Sequence, residues 1–265
     1  MGAQETGQTI TPKRLGLQAN QSDFPVSTIA STPDTVLSMK LRILLLLAFV
    51  VCIHASLAEE KSVRPGINTE YLKPGMDVSK WVARFEKPGR EVFDQREKIM
   101  EALHLKRGQR VADVGAGTGL FTMLIADAVG PKGKVYAVDI AKDFIALINK
   151  RATEANLKNI ETILCADRST ELPKDSVELV FTSDTYHHLE YPASVLASIR
   201  QALRRGGELI VVDYRREPGK SADWIVKHVR ASQEEVAKEI QAAGFERVET
   251  PDFLKENYLM RFRKK

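Results

Sequence analysis

Hydrophobic and polar positions follow two different periods along most of this chain. Five apolar runs have the length of strands: Arg110–Val114, Lys134–Asp139, Ile160–Ala166, Ser176–Thr182 and Glu208–Asp213. Between them lie stretches with apolar residues three and four apart, which predict helices at Leu120–Val129, Ala141–Ala155 and Pro192–Leu203. Gly130-Pro131 and Gly206-Gly207 stop two of these helices. Arg90–Leu105 carries apolar residues at 92, 93, 99, 100, 103 and 105 and predicts one amphipathic helix. Ser232–Ala243 predicts another, with Ser232 as N-cap, Glu234 and Glu235 in the first turn, and Gly244 closing it. Arg247–Thr250 and Tyr258–Phe262 complete the set as an antiparallel pair. Strands alternating with helices over short connections imply an α/β fold: a doubly wound, mostly parallel seven-stranded sheet with helices on both faces.

The first 90 residues break this pattern. Residues 1–38 are rich in Gln, Ser, Thr and Pro and are expected to be disordered, or to be an over-extended gene start, because Met39 opens a signal of its own. Met39-Lys-Leu-Arg, the apolar run Ile43–Ala55 and the small residues before Glu59 have the layout of a signal peptide cleaved after Ala58. An uncleaved membrane anchor and a buried helix are the alternatives for residues 39–58. This segment implies export or membrane association through residues 43–55. Residues 59–90 hold Pro65-Gly66, Pro74-Gly75 and Pro88-Gly89, and read as a loop-rich lead-in that could act as a lid. Its aromatics Tyr71, Trp81 and Phe85 are expected to pack on the flank of the sheet. Residues 91–265 form the main domain.

Composition narrows the function classes. Of the 265 residues, 28% are charged and the net charge is only +4, with basic and acidic residues interleaved, so no nucleic-acid partner is expected. The chain has two cysteines, Cys52 in the apolar run and Cys165 in a predicted strand, with no CxxC pair and no zinc spacing. A disulfide between them is not expected.

The chemistry is carried by Asp113-Val-Gly115-Ala-Gly117-Thr-Gly119, which closes the first strand of the main domain and opens a helix. Glycines there let the chain turn sharply and bring backbone close to a ligand. The helix start presents N–H groups and partial positive charge to an anionic group. The spacing is GxGxG with an acidic residue two before the first glycine, not the GxGxxG of nicotinamide-binding folds. On these residues the chain resembles the class I S-adenosylmethionine-dependent methyltransferases, a Rossmann-like fold. The resemblance covers roughly residues 95–214. It implies S-adenosyl-L-methionine as cofactor, with Asp113, Gly115, Gly117 and Gly119 around its methionine portion. It also implies Asp139 on the ribose hydroxyls, Ile140 against adenine, Asp167 near the adenine amino group, and Ser183 on the cofactor side. Asp139 as a plain helix cap and Asp167 as a solvated loop residue are the structural alternatives.

Candidates for the acceptor side follow the fourth strand, in Thr182–Leu189 (TSDTYHHL). His187, His188 and Tyr186 are the catalytic candidates, since histidine titrates near neutrality and takes a proton. Asp184, Asp213, Tyr214 and Arg215 are further pocket candidates. No metal site is expected, because adjacent side chains diverge and no third ligand is evident. There is no Asn/Asp-Pro-Pro-Tyr segment after the fourth strand, which argues against a DNA amino-methyltransferase, and two cysteines are too few for an arsenite-methyltransferase-like site. Leu203-Arg-Arg-Gly-Gly-Glu resembles the small-molecule and quinone branch of the family. The expected activity is therefore methyl transfer to a small-molecule or lipid-like acceptor. A non-catalytic binding protein on the same fold and a nicotinamide-dependent oxidoreductase are the competing readings. A signal peptide conflicts with a cofactor made in the cytosol, and the sequence leaves that conflict open.

Overall fold

The computed structural model describes residues 60–265. The signal-like segment 39–58, the stretch 1–38 and Cys52 lie outside them. Three helices lead in: α1 (Val78–Phe85), α2 (Glu91–Asp94) and α3 (Arg96–Ala102). The alternating body follows as β1 (Arg110–Val114), α4 (Leu120–Val129), β2 (Lys134–Asp139), α5 (Lys142–Glu154), β3 (Ile160–Leu164), β4 (Val177–Ser183), α6 (Pro192–Ala202) and β5 (Leu203–Tyr214). The chain closes with α7 (Asp223–His228), α8 (Gln233–Ala242), β6 (Phe245–Glu249) and β7 (Asn257–Lys264).

The seven strands form one sheet in the order β3-β2-β1-β4-β5-β7-β6. The first five are parallel, and β7 runs antiparallel to both β5 and β6. Alternate side chains of the strands enter two cores, as a period of two requires. Val111, Leu179, Phe181, Ile210 and Val212 face Ile99 of α3 and Phe121, Ile125 and Val129 of α4. Ala112, Val114, Val180, Leu209 and Val211 face α6 and α8 through Val195, Leu196, Ile199, Val236 and Ile240. Both faces of the sheet are therefore covered.

Four elements differ from the pattern's forecast. Arg90–Leu105 is two helices, broken at Gln95 inside its polar stretch. The two halves have different anchors. The Glu91 carboxylate accepts from the backbone N–H groups of Lys255, Glu256 and Asn257, whereas α3 packs Ile99 into the core. The lead-in contains the helix α1, capped by Asp77. β5 starts at Leu203, five residues earlier than its apolar run, by pairing with Val177 across a register shift. The six-residue helix α7 is too short to show a period. The C-terminal helix is as forecast: Ser232 and Glu235 form a reciprocal capping box.

Candidate functional site

The sheet's order reverses between β1 and β4, so their carboxyl ends splay apart and leave a crevice. A cavity of about 800 Å³ opens there, within the roughly 300–1,000 Å³ usual for small-molecule sites. One end is walled by the glycine loop, Asp139, Ile140 and Asp167; the other by His187, His188, Tyr214, Trp224 and His228.

Two glycines in the loop are required by the space around them. Gly115 has φ +73°, and a Cβ there would lie 2.1 Å from Thr185 Cγ2, because β1 and the loop after β4 meet at this point. Thr185 Oγ1 donates to the Gly115 carbonyl at 3.3 Å. Gly119 has φ +83° and starts α4, where a Cβ would press on Ile148. Gly117 donates its N–H to Asp139 Oδ2 at 2.8 Å, which ties the loop to the end of β2.

The two predicted acids are buried beneath this loop. Asp113 accepts from Thr122 Oγ1 at 2.6 Å. Burial pushes its carboxyl up to about 7, an effect only partly offset by that hydrogen bond. Asp139 accepts from Ala141 N at 2.8 Å as well as from Gly117, and burial pushes it up to about 6. Asp139 thus holds the turn into α5 and braces the glycine loop at once, with one of these N–H groups on each oxygen. Asp167 is exposed at the cavity rim. Ser183 lines the cavity with its Oγ buried and without a hydrogen-bond partner. Cys165 stands nearby, its thiol pushed up to about 12 chiefly by burial.

The lead-in covers this end, contrary to the expectation that its aromatics pack on the sheet's flank. Tyr71 and Phe85 line the cavity together with Phe144 of α5. Trp81 sits behind them, 4.7 Å from Tyr71 and 5.2 Å from Phe85 between ring centroids. The physical reason is a pair of tethers the sequence did not advertise. Arg151 of α5 donates to Glu86 at 2.6 Å and to the Thr118 carbonyl at 3.0 Å, clipping the end of α1 to the glycine loop. Arg90 donates to Asp184 Oδ2 at 2.6 Å, and Asn257 to Asp184 Oδ1 at 2.6 Å. Asp184 therefore anchors a cluster in a left-handed conformation, φ +48°.

The catalytic candidates separate. Tyr186 belongs to the core: it is 1% exposed, and its hydroxyl donates to Glu239 Oε2 at 2.9 Å on the α8 side, away from the cavity. Reading it as an active-site group is corrected on that geometry. Burial, then Glu239, raises its phenol further from ionisation. His187 does face the cavity. Its Nδ1 lies 2.7 Å from Asp213 Oδ1, and its backbone N–H donates to Asp213 Oδ2 at 2.9 Å. Tyr214 N also donates to Asp213 Oδ1, so the carboxylate is the acceptor throughout. Nδ1 of His187 is then the nitrogen that donates to it. His188 is pushed down to about 2 by burial and by the histidines and arginines around it. His228, unforeseen because it lies forty residues on in α7, has its Nε2 3.4 Å from that of His188. Burial moves it down to about 4. The third ligand that was not evident in the sequence is therefore offered by His228: one ring nitrogen of each of the three histidines lies within 4.8 Å of the others. Arg215 turns away, to Asn257, Gln233 and Asp252.

A family model described as a methyltransferase domain matches residues 105–263. Phosphoethanolamine N-methyltransferase 2 of Caenorhabditis elegans is 26% identical over 204 residues, 74% of this chain and 45% of that protein. A demethylmenaquinone methyltransferase of Listeria monocytogenes is 26% identical over 118 residues, 44% of this chain and 50% of that protein. The chain spans about half the length of these curated relatives. A solved S-adenosylmethionine-dependent methyltransferase from Aquifex aeolicus matches with a TM-score of 0.64 at 26% identity, covering 71% of this chain and 99% of that one. The glycine loop at the head of a seven-stranded sheet with one antiparallel strand near its edge, together with a family match over more than half the sequence, places the chain in the class I S-adenosylmethionine-dependent methyltransferases.

Proposed function

We propose that this chain binds S-adenosylmethionine and transfers its methyl group to a small-molecule or lipid-like acceptor lying beside His187 and His188. The observation that carries the reading is the join within one cavity. Buried acids and a glycine loop stand at one end and a cluster of imidazoles at the other. The residues fit the cofactor. Asp113 is a buried carboxyl with no cation against it among the described residues, and the ammonium of the methionine portion supplies one. Asp139 has a lone pair left on each oxygen for the two ribose hydroxyls, Ile140 borders the adenine, and Asp167 sits at the rim for its amino group. The orphaned Ser183 hydroxyl gains a partner on the cofactor side.

When bound, the cofactor supplies a methyl carbon on a positively charged sulfur. The protein's own task is placement: holding a nucleophile at near-attack distance and excluding water. Tyr71, Phe85 and Phe144 close the cofactor end, where π-faces attract the sulfonium. At the other end Asp213 fixes the His187 ring, whose Nε2 lone pair draws the proton of the acceptor's heteroatom and orients it. Acceptor class rests on the aromatic lining and on the relatives, whose names specify phosphoethanolamine and demethylmenaquinone.

The test is labelled-methyl transfer by the full chain to a panel of hydroxyl, amine and thiol acceptors, polar and lipid-like. Label should enter one acceptor class, and His187→Ala should slow that transfer by about 10²–10⁴-fold with cofactor saturating. Tight cofactor binding with no label moved to any acceptor would overturn the reading in favour of a non-catalytic binder.

A further inference from the structure

We propose that His187, His188 and His228 form a site for one divalent transition-metal ion of the zinc type, at the acceptor end of the cavity. Three lines of geometry carry it. First, the ring nitrogens of the three residues lie within 4.8 Å of one another, and two of them, the Nε2 atoms of His188 and His228, are 3.4 Å apart. Ligands at about 2.0–2.1 Å from a tetrahedral zinc stand about 3.3–3.4 Å from each other. Second, His187 has the outer partner that metal-bound histidines carry. Its Nδ1 is fixed by Asp213, itself 1% exposed, which leaves Nε2 as a lone-pair donor with a set orientation. Third, protein contacts do not satisfy His188: its Nδ1 is buried with no partner, and its Nε2 meets only another imidazole.

The backbone explains how neighbours in sequence converge. Tyr186–His188 is a single turn of 3-10 helix, which brings the two rings to 4.3 Å between centroids at 45°. The C-terminal residue of α7 then places the third ring 5.1 Å from each. Three protein nitrogens leave the fourth position of a tetrahedral ion for an outside ligand, the arrangement of catalytic rather than structural zinc. The ligand class follows: a thiol, hydroxyl or amine of the acceptor, whose proton affinity a bound cation lowers. With the ion bound, the His187 Nε2 lone pair serves the metal instead of the acceptor's proton. That proton goes to water, and as the heteroatom's electron pair forms the new bond to the methyl carbon, the carbon–sulfur bond of the sulfonium breaks and its pair stays on sulfur. This inference rests on reading that end of the cavity as the acceptor site.

The experiment is metal binding by the full chain, stripped with a chelator and titrated with Zn²⁺ and with Co²⁺. About one equivalent should bind, and Co²⁺ should show the intense visible bands of tetrahedral nitrogen coordination. His228→Ala and His188→Ala should each abolish those bands, and Asp213→Asn should weaken the metal by about 10–100-fold. S-adenosylhomocysteine binding is measured on every variant, which shows that it is folded and tests the cofactor reading separately. A chain that binds S-adenosylhomocysteine but takes up no metal, or whose metal binding survives His228→Ala, overturns the site and leaves the methyltransferase reading standing.

Discussion

Asp113 and Asp139 show most directly how single residues set the chemistry. Both are buried, with carboxyls moved up to about 7 and about 6, so the empty protein holds protons there that an unfolded chain sheds near pH 4. The sign follows from linkage. The folded state binds more protons between about pH 4 and pH 7, so stability of the cofactor-free protein falls as pH rises through that window. A cationic cofactor favours the ionised carboxylate, so its affinity should climb from pH 5 and level off above about pH 7, with proton release visible by calorimetry in buffers of different ionisation heat. Affinity that is flat over this range would remove Asp113 from contact with the cofactor's charge. Asp139→Ala should cost about 1–3 kcal/mol of cofactor binding, read by the same titration. Gly115→Ala should destabilise the fold by about 1–3 kcal/mol, since it forces both an unfavourable φ and a collision with Thr185; thermal melting checks it. The places of the glycine loop after β1 and of Asp139 at the end of β2 were legible in the sequence because two consecutive strand–helix units fix them. His228, Arg90 and Arg151 were not, because each acts on partners far away in the chain.

At the scale of elements, α1 gives the lead-in its purpose. Its Trp81 and Phe85, with Tyr71 before them and Phe144 on α5, make a roof of tilted rings over the glycine-loop end of the cavity. A roof that acts on charge must distinguish a sulfonium from a thioether. Phe85→Ala should therefore weaken S-adenosylmethionine by about 0.5–2 kcal/mol while changing S-adenosylhomocysteine less; equal losses would make the ring mere packing. The strands and long helices were legible because burial on two faces, or on one stripe, writes a period into the sequence. The break at Gln95, the early start of β5 and the short α7 were not. The last is too short to show a period, and the first two depend on a tertiary partner, the backbone at Lys255–Asn257 for α2 and Val177 for the start of β5. Tyr186 misled for the same reason. Its neighbours in sequence face the cavity, but the 3-10 turn points its hydroxyl at Glu239.

The cavity lies where a doubly wound sheet leaves a crevice, at the point where strand order reverses. That architecture was visible in the alternation of strands and helices, and the lead-in was legible as a candidate lid; the tethers that hold it and the histidine triad, assembled from distant segments, were not. Among the described residues no helix is long and apolar enough to cross a membrane. We propose that residues 39–58 are a cleaved signal. N-terminal sequencing of the native protein should read from Glu59, whereas a chain retaining the apolar run would make it an anchor. The account as a whole stands on the identity of the cofactor. Calorimetric titration of the full chain with S-adenosylhomocysteine and, in parallel, with NAD tests it most directly. The account predicts saturable binding of about one S-adenosylhomocysteine per chain, lost or strongly weakened in Asp139→Ala, and no heat from NAD. Binding of NAD with none of S-adenosylhomocysteine would contradict it.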